Sequence, residues 1–142
     1  YSVEVAILSQ YFPLSEKIHQ EMLGVYDNQR SYVTYYFDGP LPVAVLLWLD
    51  DWKSKMSEED RLELFTLMDE PFTESAYIAA FEVNSFYHGK GYGKAVLQDF
   101  IKSKKFVTLS AIDGSEGFYR KCGFNVNQMT NYFFWRKEDH ED

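Results

Sequence analysis

One stretch of the chain reads His88-Gly89-Lys90-Gly91-Tyr92-Gly93-Lys94, and in it three glycines alternate with larger residues. A β-rich run from Tyr77 to Val83 precedes this stretch, and an amphipathic run from Tyr92 to Ile101 follows it. Glycine adopts backbone angles that other residues avoid. The start of a helix presents unpaired N–H groups and the positive end of the helix dipole. A glycine turn between a strand and a helix therefore predicts a phosphate-binding loop.

The composition predicts a single domain over residues 1–142. At 142 residues, with 46% hydrophobic and 18% aromatic residues, the chain can bury a core of its own. Its single cysteine, Cys122, excludes an internal disulfide and a multi-cysteine zinc site, and we expect no bound metal. We see no secretory signal and no apolar run of ~18 residues. We therefore expect a cytoplasmic protein without membrane contact.

The charge is unevenly distributed along the chain. A formal net charge of −8 argues against general nucleic-acid binding, which usually needs a basic face. Between His88 and Lys121, however, seven Lys and Arg residues face only three acidic ones. This basic segment in an acidic chain suggests an anionic ligand at the segment and a cationic one elsewhere.

Strands and helices alternate on both sides of the glycine stretch. Upstream, β-rich or apolar runs predict strands at 3–8, 32–37, 43–49 and 76–83, and the second and third form a hairpin around Asp38-Gly39-Pro40. Helices are predicted at 13–27 and from Ser57 to about Asp69, the latter with Leu62, Phe65 and Met68 on one face. Downstream, the patterns predict a helix at 92–103, a strand at 106–112, a short helix within 113–121, and strands at 124–128 and 132–136. The acidic tail from 138 to 142 is expected to fray.

This order predicts an α/β (α+β) fold. The sheet is expected to be mixed and mostly antiparallel, with about six to seven strands and helices packed on it.

Three familiar phosphate loops do not match the glycine spacing. A P-loop would need Ser or Thr after Gly93-Lys94, where this chain has Ala95. The dinucleotide fingerprint G-x-G-x-x-G begins at Gly89 but would need a third glycine at Lys94. The kinase glycine loop fails for the same reason.

A fourth pattern fits. His88 to Gly93 resembles the acetyl-CoA signature Q/R-x-x-G-x-G/A of the GCN5-related N-acetyltransferase (GNAT) superfamily. The run Gly117-Phe118-Tyr119-Arg120-Lys121-Cys122-Gly123-Phe124 resembles a second motif of that family, at the usual interval. His88 stands where the family prefers Gln or Arg. An imidazole would hold pyrophosphate less strongly than a permanent guanidinium, but the backbone donors are unchanged and binding is expected to persist.

The resemblance implies the acyl-CoA N-acyltransferase fold and a transferase that moves an acetyl group from acetyl-CoA to a primary amine by direct attack. It also implies that the strand ending at Val83 splays from its neighbour at a bulge and pairs with the pantetheine arm. One of the main-chain N–H groups there would polarise the thioester carbonyl. The implied cofactor-binding residues are Phe81, Val83, His88, Gly89, Lys90, Gly91, Tyr92, Gly93 and Lys94.

The resemblance places Tyr119 at the general-acid position, whereas the general base stays open. Glu82 and Asp113 are the candidate carboxylates, and a water relay or no dedicated base is the alternative. Strand alternation places Glu82 on the face opposite to Phe81 and Val83. Cys122 is expected to pack in the core rather than act as a nucleophile.

The acceptor is a small-molecule or peptide amine that the sequence does not identify. We expect it opposite the cofactor, near the first predicted helix, the hairpin and the acidic segment 50–74, where acidic surroundings favour a cationic amine. Aromatic residues that could line its pocket are Tyr32, Tyr35, Tyr36, Trp48 and Trp52. Two alternatives remain, a non-catalytic module that binds CoA or a protein partner and a site for a nucleotide phosphate. The chain could be a monomer or a homodimer.

Overall fold

A computed structural model describes residues 31–50, 56–67 and 74–140 of the chain. The strand predicted at 3–8 and the helix predicted at 13–27 lie outside these residues. The described strands and α-helices are β1 (Ser31–Asp38), β2 (Leu41–Leu49), α1 (Glu58–Phe65), β3 (Ser75–Val83), α2 (Tyr92–Ile101), β4 (Phe106–Leu109), α3 (Glu116–Lys121), β5 (Asn125–Val126) and β6 (Phe133–Arg136). Two short 3₁₀ turns lie at Ser85–Tyr87 and Lys137–His140.

The strands form one six-stranded sheet in the order β1-β2-β3-β4-β6-β5. Strands β3 and β4 pair in parallel, and the other neighbours pair antiparallel. The predicted hairpin is β1–β2, whose loop is Gly39-Pro40. The mixed, mostly antiparallel sheet with flanking helices is therefore confirmed.

The sheet buries apolar residues on both faces. On one face, α2 and α3 pack against a large cluster to which α2 contributes Val96, Leu97, Phe100 and Ile101, the four positions expected from helical spacing. On the other face, Leu64 of α1 packs with Tyr77 and Phe106. Within the part of the chain that the structure describes, no helix is long and apolar enough to cross a bilayer.

Helix α1 begins as predicted but buries a different side chain. The Oγ of Ser57 accepts a hydrogen bond from the amide of Asp60 at 3.1 Å, which is the expected cap. Leu62 is 53% exposed, whereas Leu64 is fully buried. The prediction of Leu62 as part of the packed face is wrong because the helix meets the sheet through Leu64 and Phe65. Met68 lies outside the described residues.

Strands β4 and β5 end earlier than predicted. Strand β4 ends at Leu109 instead of residue 112, where its pairing with β3 also ends. A turn follows, in which Ser115 donates from its amide and its hydroxyl to the Ile112 carbonyl at 3.0 and 2.6 Å. Strand β5 ends at Val126 instead of residue 128, because Asn127 closes a turn, accepting at its carbonyl from the amide of Asn131 at 2.7 Å.

The segment after β6 packs on the domain through residue 140. The His140 ring stacks on Trp135 with centroids 5.2 Å apart. The Nε of Arg136 donates a hydrogen bond to Oδ2 of Asp139 at 2.9 Å. The expectation that this segment frays is wrong for residues 138–140. His140 also covers Gly123, whose φ of +96° follows the end of α3.

We expect Gly123→Ala to lower the free energy of unfolding by roughly 1–2 kcal/mol, the usual cost of a left-handed backbone for a residue with a Cβ. The added Cβ would also lie 3.1 Å from Cε1 of His140. Gly117→Ala is the matched control, because Gly117 lies inside α3 and its Cβ would meet nothing within 4 Å. Alanine there should stabilise by about 0.5–1 kcal/mol. Urea denaturation of both variants measures the difference, and equal midpoints would contradict the prediction.

Candidate active site

Strand β3 extends beyond the end of β4, and no strand of the described residues pairs with its last five residues on that side. The parallel pairing ends at Ile78 and Leu109, while β3 continues to Val83. At the same point β3 has a bulge at Ala79, since Trp48 pairs with Ile78 but the preceding Leu47 pairs with Ala80. A bulge bends its strand. We call the space on the β4 side of residues 79–83 of β3 the cleft. The bulge that the resemblance implied is present, and the pairing of β3 with β4 ends beside it.

The main chain of β3 presents alternate residues to the cleft. The amide of Asn84 donates to the Val43 carbonyl of β2 at 2.7 Å. Successive residues of a strand point their N–H and C=O groups to opposite sides. The N–H and C=O groups of Glu82, two residues before Asn84, therefore also point toward β2. Phe81 and Val83 therefore point their N–H and C=O groups away from β2, toward the cleft.

The glycine loop leads from the end of the cleft into α2. Gly89 and Gly91 have φ of +75° and +82°, and Gly91 is the N-cap of α2 without a side-chain hydrogen bond. The first helical bond runs from the amide of Ala95 to the Gly91 carbonyl at 3.2 Å. The N–H groups of residues 92–94 precede that bond and have no helical carbonyl to bind. Such N–H groups at a helix start fit a pyrophosphate.

Buried Asn84, to which no sequence pattern assigned a role, anchors the segment that leads into this loop. Its Nδ2 donates to the Pro42 carbonyl at 2.8 Å, and its Oδ1 accepts from the amide of Phe86 at 3.0 Å. The Tyr87 hydroxyl adds a bond to Asp38 at 3.4 Å. An asparagine directly after a strand, a residue that often caps turns, was the available signal.

The imidazole of His88 is bound to β3. Its Nε2 lies 2.7 Å from the Val83 carbonyl. A carbonyl only accepts, so Nε2 carries the proton and donates. The side chain thus fastens the start of the glycine loop to the cleft edge of β3.

Phe118 connects the glycine loop, the cleft edge and Tyr119. A Cβ on Gly93 would lie 3.4 Å from the Phe118 ring and 3.4 Å from Cγ2 of Val83. The Phe118 ring also stacks on Phe81 with centroids 6.1 Å apart, and meets the Tyr119 ring edge-on at 5.2 Å. The structure thereby brings the two motifs of the sequence together around one side chain that carried no predicted role.

Tyr119 is buried, with 9% of its surface exposed, and its ring packs against Phe124 and Phe133. Burial, with a smaller contribution from Cys122, raises the pKa of Tyr119 to about 12. The phenol therefore keeps its proton at neutral pH, as a general acid must. Burial likewise raises the pKa of the Cys122 thiol, and the positive charge of Lys94 offsets part of this rise in pKa. Cys122 belongs to the core cluster, where it was expected to pack.

The two candidate bases lie in different surroundings. Phe81 and Val83 pack toward α2 and α3, so the half-buried Glu82 lies on the opposite face of β3. Asp113 is exposed in the turn between β4 and α3. The choice of a base therefore stays open.

Trp48 of the hairpin packs on α2. Trp48 stacks on Tyr32 at 4.5 Å and meets Phe100 edge-on at 5.3 Å. The ammonium of Lys104 lies 4.1 Å from the Trp48 ring centroid. Packing thus accounts for much of the Trp48 surface that we expected to line an acceptor pocket. Trp52 lies outside the described residues.

Comparison with known proteins agrees with this geometry. Residues 6–124 match the model of the acetyltransferase (GNAT) family. The chain therefore belongs to the GNAT acetyltransferase family. A comparison with curated protein sequences found no significant match.

Solved structures share the fold at low sequence identity. The aminoglycoside acetyltransferase AAC(6')-Ib, solved with coenzyme A and kanamycin, has a TM-score of 0.60 and 12% identity, over 95% of this chain and 90% of that one. Tetrahymena GCN5 has a TM-score of 0.55 and 9% identity over 91% and 80%. A Bacillus subtilis acetyltransferase in complex with CoA has a TM-score of 0.53 and 16% identity over 87% and 70%. At these identities the likeness establishes the fold.

We expect Asn84→Ala to lower the free energy of unfolding by about 1–3 kcal/mol, because it leaves the buried Pro42 carbonyl and the half-buried Phe86 amide without their partner. Exchange of the amides at 85–93 should also quicken, since this anchor precedes the glycine loop. Asn125→Ala is the control, because Asn125 is exposed and should change stability by less than about 0.5 kcal/mol. Chemical denaturation and hydrogen exchange measure both effects. Equal exchange in the two variants would show that Asn84 does not hold the loop.

Proposed function

We propose that residues 1–142 form a single cytoplasmic domain that transfers an acetyl group from acetyl-CoA to a primary amine by direct attack. The observation that carries this proposal is the continuity of the cleft edge of β3 with the glycine loop. Main-chain groups of Phe81 and Val83 point into the cleft, and the N–H groups at the start of α2 follow at its end. Together they match an extended ligand with a pyrophosphate at one end.

The glycine loop would bind the pyrophosphate through main-chain donors. The N–H groups of residues 92–94 and the positive end of the α2 dipole favour negative charge there. Lys90 and Lys94 are exposed and add positive charge, and residues 88–94 include no acidic side chain. The open backbone at Gly89 and Gly91 lets the ligand approach closely.

The cleft would supply the remaining groups for the chemistry. When bound, the thioester of acetyl-CoA supplies the activated acyl group. A neutral amine forms a bond to the acyl carbon as the carbon–sulfur bond breaks, and the amine loses one proton to a base or to water. The N–H of Phe81 would stabilise the charge that develops on the carbonyl oxygen. The phenol of Tyr119 would donate a proton to the departing thiolate.

The acceptor is proposed to be a cationic small-molecule or peptide amine. The net charge of −8 favours a cation outside the basic segment. One structure of this fold contains kanamycin, an aminoglycoside. General nucleic-acid binding is not proposed, for the same electrostatic reason.

We expect calorimetry to detect acetyl-CoA binding to the native chain and to detect none with Gly91→Glu. The new carboxylate would repel the pyrophosphate at the start of α2. Gly39→Glu is the matched control: Gly39 also has a positive φ, +59°, and open space around it, but it lies in the hairpin turn. The control should bind acetyl-CoA as the native chain does. Undetectable binding to the native chain at millimolar acetyl-CoA would refute the enzyme proposal.

We expect Tyr119→Phe to slow acetyl transfer by roughly 10²–10⁴-fold, the usual contribution of a positioned acid. Its affinity for acetyl-CoA should stay within about twofold of the native value, because the aromatic packing is retained. Tyr132→Phe is the control, since Tyr132 packs against the second cluster on the other face of the sheet. Rates are measured with an amine library, including aminoglycosides and polyamines. Binding without transfer to any amine would favour the non-catalytic module instead.

A further inference from the structure

Phe118 occupies the cleft side of the site although the proposed reaction assigns it no chemistry. Its half-buried ring stacks on the ring of Phe81. Phe81 lies in the part of β3 that does not pair with β4. The two aromatic side chains therefore form one apolar wall beside the cleft-facing main chain of β3.

This wall lies next to the group proposed to bind the carbonyl oxygen. The N–H of Phe81 and the ring of Phe81 belong to the same residue, so an acyl carbon held by this N–H lies within one residue of both rings. An acyl chain that extends from this carbonyl toward the α2 and α3 face of the sheet would pass the rings of Phe81 and Phe118. Its permitted length depends on whether those rings can move.

Two aromatic neighbours hold the Phe118 ring in place. It stacks on Phe81 with centroids 6.1 Å apart and meets the Tyr119 ring edge-on at 5.2 Å. A Cβ added to Gly93 would lie at an ordinary contact distance of 3.4 Å from the ring, so the glycine loop also borders it. Because packed side chains resist displacement, an acyl chain that extends toward this wall would have to move both rings.

We propose that Phe81 and Phe118 limit the acyl group to acetyl or one of similar size, and that they are the residues that determine acyl-chain length. This inference rests on the proposed function, because it takes an acyl-CoA to be the ligand of the cleft. It concerns specificity rather than catalysis: smaller side chains at these positions should admit longer acyl groups.

The test measures the affinities of CoA, acetyl-CoA, butyryl-CoA and hexanoyl-CoA by calorimetry, which needs no acceptor. For the native chain, hexanoyl-CoA should bind at least roughly tenfold more weakly than acetyl-CoA, since even one misfitting methylene in a pocket has an effect of this order. In Phe118→Ala and in Phe81→Ala, the affinities for acetyl-CoA and hexanoyl-CoA should differ by less than about threefold. CoA without an acyl group serves as the reference for each variant, and its binding shows that the variant is folded.

Phe118→Leu is a milder variant that keeps most of the buried volume. It should raise the affinity for butyryl-CoA more than the affinity for hexanoyl-CoA. Phe37→Ala is the control, because Phe37 is 56% exposed near the hairpin turn, and its acetyl to hexanoyl ratio should equal the native one. If the native chain binds CoA but shows no dependence on acyl length, the inference is wrong and the proposed function stands. The inference is also wrong if both alanine variants keep the native ratio. If the native chain binds neither CoA nor any acyl-CoA, the proposed function fails, and the inference fails with it.

Discussion

Pairing between β3 and β4 stops at Ile78 and Leu109, and the candidate site depends on this interruption inside the sheet. A strand that loses its neighbour exposes main-chain polar groups, which proteins normally cover or pair. Here the bulge at Ala79 turns β3 at the same point, and Phe81 and Val83 present their groups to the cleft. The imidazole of His88 binds one of them. The end of β3 thereby has the kind of free strand edge with which extended ligands pair in other proteins.

The site joins parts of the chain that are far apart in sequence. Asn84 fastens the lead-in of the glycine loop to the carbonyl of Pro42, and Tyr87 binds Asp38 at the hairpin turn. On the other side of the loop, Phe118 of α3 packs against Gly93. The hairpin and α3 therefore hold the loop from two directions, so its backbone donors are set in place by folding rather than by the ligand. Such preorganisation lowers the entropic cost of binding.

The sequence predicted features that depend on local patterns. Helical spacing identified the four buried residues of α2, and the turn residues at 38–40 identified the β1–β2 hairpin. Glycine spacing identified the loop and the family. The features that it missed depend on tertiary contacts. The burial of Leu64 in place of Leu62 follows from how α1 meets the sheet, and the position of Phe118 follows from Gly93, which is distant in the chain. The early end of β4 follows from where the sheet divides, which no local pattern encodes.

The bond between His88 and Val83 changes how the first position of the acetyl-CoA signature is understood. Glutamine and arginine, the residues that the family prefers there, differ in charge from each other and from histidine. All three nevertheless carry an N–H group that can reach a carbonyl. In this chain the Nε2–H of His88 is that donor, and it binds the Val83 carbonyl at 2.7 Å. For this chain, the property of position 88 that the fold uses is a hydrogen-bond donor and not a permanent charge.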